Sequence, residues 1–203
     1  MKLYQAPTSP YARKCIVLLH ETGQLDDVEL VFATGSPLDA SKMPLAQNPL
    51  GKIPALERPD GGAIYDSRVI TRYLNDRADA AFYPESSIWE TLTLEATADG
   101  ILDAALLLTY EARVRPEEKQ MAAFAEGQWG KISRACNVLN ERWMAHLSGP
   151  MDIGHIAVGA ALGYVDFRHS ARDWRSENVA LASWYAEFSK RPSMLATVPV
   201  DPK

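Results

Sequence analysis

A small α/β domain followed by an all-helical domain is the fold class this sequence predicts, and three observations predict it. Short β-rich runs occur only near the start of the chain, where they alternate with helical patterns. From about Glu85 onward strand signals vanish and apolar residues recur at steps of three and four. The strand-rich part also contains a turn sequence, Asp60-Gly61-Gly62, which joins two extended runs and implies a mixed rather than an all-parallel sheet. The division expected is residues 1–80, a linker at 81–86, and a helical domain at 87–203.

Element by element, Lys2–Gln5 reads as a strand. Pro10–Glu21 reads as a helix with apolar Cys15, Val17, Leu18 and Leu19, punctuated by Gly23. Val28–Phe32 is a second strand, and a loop broken by Pro44 and Pro49 follows it. Ile53–Leu56 and Ala63–Tyr65 are expected as the arms of a hairpin, and Ser67–Arg77 as a helix with Val69, Ile70, Tyr73 and Leu74 on one face. Ile88–Arg113 predicts one long helix, with Pro116 beyond it. Glu117–Leu147 predicts another, along which Ala125, Trp129, Ile132, Cys136, Leu139 and Trp143 form one stripe. Gly149-Pro150 ends it. Asp152–Arg168 and Asn178–Lys190 are the remaining helices, followed by an irregular tail from Arg191-Pro192.

The 203 residues are 47% hydrophobic and 23% charged, enough to bury a sizeable core. With 21 basic and 26 acidic residues the net charge is −5, which offers no electrostatic attraction to nucleic acid or an anionic membrane. The apolar stretches around Ile101–Thr109 and Ile156–Val165 are too short to span a bilayer, and Met1-Lys2-Leu3-Tyr4 shows no signal-peptide pattern. Two distant cysteines, Cys15 and Cys136, make no disulfide framework, so a reduced cytoplasm is the expected location. His20, His146, His155 and His169 have no metal-ligand spacing, and neither a Gly-x-Ser-x-Gly elbow nor a phosphate loop is present. No metal is expected.

Ser9 precedes Pro10, a residue favoured in the first helical turn, so Ser9 falls at the helix N-cap. Free N–H groups and the positive end of the helix dipole favour a thiolate over a thiol at such a place. Arg13 adds positive charge nearby, whereas Lys14 reads as a solvated helix residue and Cys15 as core. Asp66-Ser67 opens another helix, where a hydroxyl and backbone N–H groups suit an anion.

Four features together resemble the cytosolic glutathione S-transferase superfamily, and among its members the bacterial serine-type ones. They are Ser9-Pro10-Tyr11-Ala12-Arg13-Lys14 after the first strand, Asn48-Pro49-Leu50-Gly51-Lys52-Ile53-Pro54, Asp66-Ser67 with Ile70 behind it, and the helix Ile153–Phe167 followed by Phe188–Pro192. The resemblance covers essentially the whole chain. It implies a thioredoxin-like N-terminal domain holding glutathione, a helical C-terminal domain, and a homodimer.

On this resemblance Ser9 donates a hydrogen bond to the glutathione thiolate, which attacks a small hydrophobic electrophile. Pro54 is then cis, so that the backbone of Ile53 pairs with the cysteinyl part of glutathione. Lys52 meets the glycyl carboxylate, Ser67 the γ-glutamyl carboxylate and Asp66 its ammonium; many family members carry Glu where Asp66 stands. Asn48 and Gly51 shape the loop. Thiol-transferring members have cysteine before the proline, so Ser9 disfavours disulfide exchange. Of the neighbouring hydroxyls, Thr8 is expected to turn into the preceding loop and Tyr11 to line the acceptor pocket, with Leu106, Leu107, Tyr110 and Arg113 as further candidates from helical spacing. In Asp152-Ile153-Gly154-His155 a histidine stands where relatives have the carboxylate of a capping box, which predicts a weakened cap. The alternatives left open are a glutathione-binding or protein-interaction module with little turnover, and a glutathione-dependent isomerase, dehalogenase or peroxidase.

Overall fold

A computed structural model describes residues 1–201. Strand β1 (Lys2–Gln5) is central in a three-stranded sheet of order β2-β1-β3. It pairs in parallel with β2 (Glu29–Phe32), Leu3 opposite Leu30, and antiparallel with β3 (Ala55–Glu57), Leu3 opposite Leu56. The parallel pair requires a crossover, and α1 (Pro10–Glu21) supplies it. The expected second hairpin arm shrinks to one bridge, in which Leu56 and Ile64 exchange two hydrogen bonds of 2.9 Å. Arg58 and Pro59 interrupt the pairing: the Arg58 side chain donates to Gly62 O, and proline has no N–H to give. Helix α2 (Ser67–Arg77) packs beside α1.

The helical part begins with α3 (Ile88–Val114), continues through α4 (Ala122–Arg142), and includes the short α5 (Met144–Leu147), α6 (Ile153–His169), α7 (Val179–Phe188) and α8 (Pro192–Leu195). The single helix expected over 117–147 is therefore three pieces. A separate turn covers Glu117–Lys119, and the backbone leaves helical geometry at Trp143 before resuming. The tail also winds into α8 rather than remaining irregular.

Helices α3 and α6 form the main packed pair, and α6 is buried nearly all round from Ile153 to Val165. Two charged residues of α1 are interior, and for Lys14 this overturns the expectation of a solvated helix residue. Lys14 is completely buried, and Arg13 is 6% exposed. Both lie between α1 and the helical part. Arg13 reaches Met194 O at 3.1 Å and Thr197 Oγ1 at 3.2 Å. It crosses α6 at Gly163, where a Cβ would collide with its guanidinium. None of the described helices is long and apolar enough to cross a membrane.

Candidate functional site

The loop after β1, the loop before β3, the start of α2 and the inner face of α3 surround one cleft of about 700 Å³. Ser9, Tyr11, Lys52, Ile53, Pro54, Asp66, Ser67, Tyr110 and Arg113 all line it. Thr8 lines it too, rather than turning away. Leu107 does not: it is exposed to solvent, while Leu106 faces the cleft. Successive helix residues point about 100° apart, so the two leucines cannot share one wall.

Ser9 is the N-cap of α1, with its backbone extended at φ −83 and ψ 114. Its Oγ accepts from Ala12 N at 3.3 Å. Capping uses a lone pair of the hydroxyl and leaves its proton free to donate. Tyr11 is differently engaged, because its hydroxyl donates to the Asp103 carboxylate. Burial and that carboxylate hold the phenol protonated far above its usual range. Of the two hydroxyls that flank Pro10, the serine is thus the one with a donor to spare. Cys15 is fully buried, and burial drives its thiol pKa up, which makes it inert.

Across the cleft the Ile53–Pro54 bond is cis. Among the described residues, no backbone group pairs with the N–H or C=O of Ile53. The loop bearing it is braced by Asn48, buried, whose side chain donates to Lys52 O at 2.8 Å and accepts from Leu50 N at 3.0 Å. Gly51 adopts φ +60, a conformation that favours glycine, so Asn48 and Gly51 do shape the loop. Lys52 is exposed on the rim.

Asp66 caps α2 by accepting from Arg68 N at 3.0 Å, and the Arg68 guanidinium returns to it at 2.7 Å. That hydrogen bond outweighs burial and lowers the Asp66 pKa. The start of α2 therefore presents a carboxylate and a guanidinium side by side, with Ser67 between them. A zwitterionic α-amino acid group offers the complementary pair. Arg68 is a residue that sequence reasoning missed; nothing local distinguishes it from a solvated helix arginine.

Behind this end lies a buried ionic cluster. Lys14 Nζ sits 3.0 Å from Glu95 Oε1 and 3.0 and 3.1 Å from the two Asp99 oxygens, and Arg68 Nε is 3.8 Å from Asp99. Burial pushes both carboxyls up while the ammonium pulls against it; the same carboxylates keep Lys14 protonated. Asp99 and Asp103 also line the cleft. Their partners are distant in sequence, so no local motif announces them.

A second polar cluster caps α6. Asp152 accepts from Thr91 at 2.6 Å, His146 Nε2 lies 2.7 Å from it, and His155 Nδ1 lies 2.8 Å away. Asp152 also accepts from His155 N at 3.2 Å, while Asp152 N lies 3.2 Å from His155 Nδ1. The capping box is complete, contrary to the weakening expected: Asp152 accepts from His155 N, and the imidazole Nδ1 stands where the carboxylate of the usual box would, within reach of both the Asp152 N–H and its carboxylate. The candidate ligand atoms of His146, Asp152 and His155 lie within 4.8 Å of one another, a grouping the linear spacing conceals. Hydrogen bonds already engage both Asp152 oxygens.

Comparison with known proteins gives the arrangement a family. Residues 8–77 match the glutathione S-transferase N-terminal domain, and residues 118–187 match the glutathione S-transferase C-terminal domain. The chain belongs to the glutathione S-transferase family. An uncharacterized GST-like protein, YibF of Escherichia coli (strain K12), is 32% identical over 98% of this chain and 98% of its own. A glutathione transferase family member from Pseudomonas fluorescens Pf-5, solved with bound glutathione, is 46% identical with a TM-score of 0.94, over 98% of this chain and 99% of that one. The same member has been solved with bound S-(propanoic acid)-glutathione, at TM-score 0.92 over 99% of this chain and 100% of that one. The cleft lies between the sheet part and α3, and Ser9 is among the residues that line it.

Proposed function

We propose that this chain is a glutathione transferase that holds the thiol of glutathione as thiolate at Ser9 for attack on a small electrophile. The observation that carries the reading is the Ser9 hydroxyl, which caps α1 through a lone pair and keeps its O–H for the cleft. A sulfur placed there meets that donor and the positive end of α1, both of which stabilise the charged form and lower the thiol pKa from about 8.5. Ile53 offers its unpaired backbone groups to the cysteinyl unit. Asp66 and Ser67, joined by Arg68, receive the γ-glutamyl zwitterion, and Lys52 receives the glycyl carboxylate. The S-substituted glutathione held by the Pseudomonas fluorescens relative supports a site that accommodates a conjugate. Residues 1–80 would then bind glutathione, and 87–203 would supply most of the acceptor wall through Tyr110 and Arg113, with Tyr11 beside the sulfur. The family also supports a homodimer in the cytoplasm.

The test follows the ultraviolet absorbance of the bound thiolate against pH in native protein and in Ser9→Ala. The titration midpoint should rise in the variant, and kcat towards a reactive aryl halide should fall by about 10²- to 10³-fold. An unchanged titration removes Ser9 from the mechanism. Glutathione binding with no turnover across a panel of electrophiles would favour a binding module instead.

A further inference from the structure

We propose that the electrophile carries a carboxylate, received by Arg113 and Arg168 at the end of the cleft remote from Ser9; this rests on the transferase reading above. Asp103, Leu106, Tyr110 and Arg113 follow one another along the cleft face of α3. The helix rise puts Arg113 about 15 Å beyond Asp103 along the axis. Asp103 is held by Tyr11, two residues from Ser9, so it marks the sulfur end. Helical side chains lean towards the N-terminus, which brings Arg113 back over the turn of Tyr110.

Charge is distributed unevenly along this wall. The carboxylates lining the cleft are Asp66, Asp99 and Asp103, and each has a partner at the sulfur end: Arg68, Lys14 and Tyr11. Beyond Leu106 the charged lining residues are the two arginines, with Tyr110 and Tyr164 between them and the sulfur end. Arg113 pairs with no carboxylate among the described residues. Arg168 shows directly what this end accepts. Its guanidinium lies 3.8 Å from the Phe167 ring centre, is 8% exposed, and grips the Asp201 carboxylate through two bonds of 3.0 and 2.7 Å. Asp201 is itself 60% exposed. Two guanidiniums therefore meet one internal carboxylate, which Arg168 holds through both its oxygens, and Arg113 leaves a positive charge for a second. A planar guanidinium binds a carboxylate through two parallel hydrogen bonds, which sets orientation as well as affinity. The tyrosines and Leu106 suit an aromatic or apolar body between the carboxylate and the reacting carbon.

The probes are 4-chloro-3,5-dinitrobenzoate and its methyl ester. In each, the thiolate attacks the ring carbon bearing chlorine and forms the C–S bond. The C–Cl bond then breaks, chloride leaves with the bonding pair, and the thiol proton has already passed to solvent. Each kcat/KM is divided by the uncatalysed rate with glutathione, because the ester activates the ring more strongly. The acid should be preferred by about tenfold or more, and Arg113→Gln should bring the ratio towards one, mainly through KM. No preference in the native protein, or a ratio untouched by R113Q, overturns the proposal. If neither probe turns over, the transferase reading is decided separately by the panel of electrophiles above. The binding of the two S-aryl glutathione products by calorimetry then decides: tighter binding of the acid that R113Q abolishes supports the anion site, and equal binding overturns it.

Discussion

A lysine with no contact to solvent needs countercharge, and Lys14 obtains it from two carboxylates of α3, Glu95 and Asp99. Removing the ammonium alone would strand both acids in the interior, a change that costs about 3–5 kcal/mol in comparable buried pairs. Lys14→Met should therefore lose stability on that scale in urea unfolding, and adding Glu95→Gln should recover part of the loss by removing one stranded charge. The sign with pH is also set. Because the folded state raises the Lys14 pKa, its contribution is complete below the unfolded value of about 10.4 and is lost as pH rises through the folded one. An alkaline unfolding limb present in the native protein and missing in K14M would confirm it. Reading Lys14 as solvated from sequence is a natural error, since helical periodicity reports which residues share a face but not how many faces are covered. Helix α1 is enclosed by α2 on one side and by α3, α6 and α8 on others, so a charged residue beside an apolar stripe can still be interior. Ser9, Ile53, Asp66 and Ser67, by contrast, lie in short local motifs whose caps and turns are encoded by adjacent residues, so their place on one cleft was legible.

At the scale of single elements, α6 depends on a cap whose parts come from three places in the chain. Asp152 gathers Thr91 of α3, His146 of α5 and His155 of α6 itself. Burial pushes the Asp152 carboxyl up, but the hydrogen bonds from His155, Thr91 and His146 together overcome that and leave it well below the ordinary range. A carboxyl depressed in the folded state contributes its full stability above the unfolded pKa of about 4, and that contribution is lost as pH falls through the folded value. Asp152→Asn should flatten the acid limb of a stability-against-pH curve. Asp152→Ala should cost about 2–4 kcal/mol at neutral pH, combining a lost N-cap with stranded buried donors. Sequence located this cap but misjudged its strength, because a motif built on carboxylate partners does not anticipate an imidazole in the same role. The interruption near Trp143 was hidden for a related reason: its apolar stripe continues at regular spacing through the break, so periodicity alone sees one helix.

Across the whole molecule, side chains join the two parts alongside the linker, whose Phe82 N donates to Asn75 Oδ1 and whose Phe82 O accepts from Ile153 N. Arg13 ties α1 to Met194 and Thr197, and Glu21 at the far end of α1 accepts from Arg191 at 2.9 and 2.8 Å and from Ser193 at 2.5 Å. All five tryptophans, Trp89 to Trp184, lie in the helical part, so tryptophan fluorescence follows that part alone. Replacing Gly163 by alanine would push a methyl group into the Arg13 guanidinium and near the Tyr185 hydroxyl, an overpacking worth about 1–3 kcal/mol. Gly163→Ala should lower the melting temperature and weaken glutathione binding together, since α1 carries both the interface and Ser9. A second surface bears on assembly. Arg58, Val69, Arg72, Tyr73, Leu92 and Ala96 line a shallow hollow of about 540 Å³ between α2 and α3, and Val69 is exposed beside it. An exposed valine among arginine and tyrosine has the composition of an interface core with a polar rim. If the homodimer forms through this face, sedimentation should give about twice the 22.4 kDa chain mass for the native protein. Val69→Glu would bury an unpaired charge at the centre of the contact and should shift the boundary to the monomer at micromolar concentration. A V69E protein that still sediments as a dimer would place the contact elsewhere, while a native protein at the monomer mass would exclude the dimer itself.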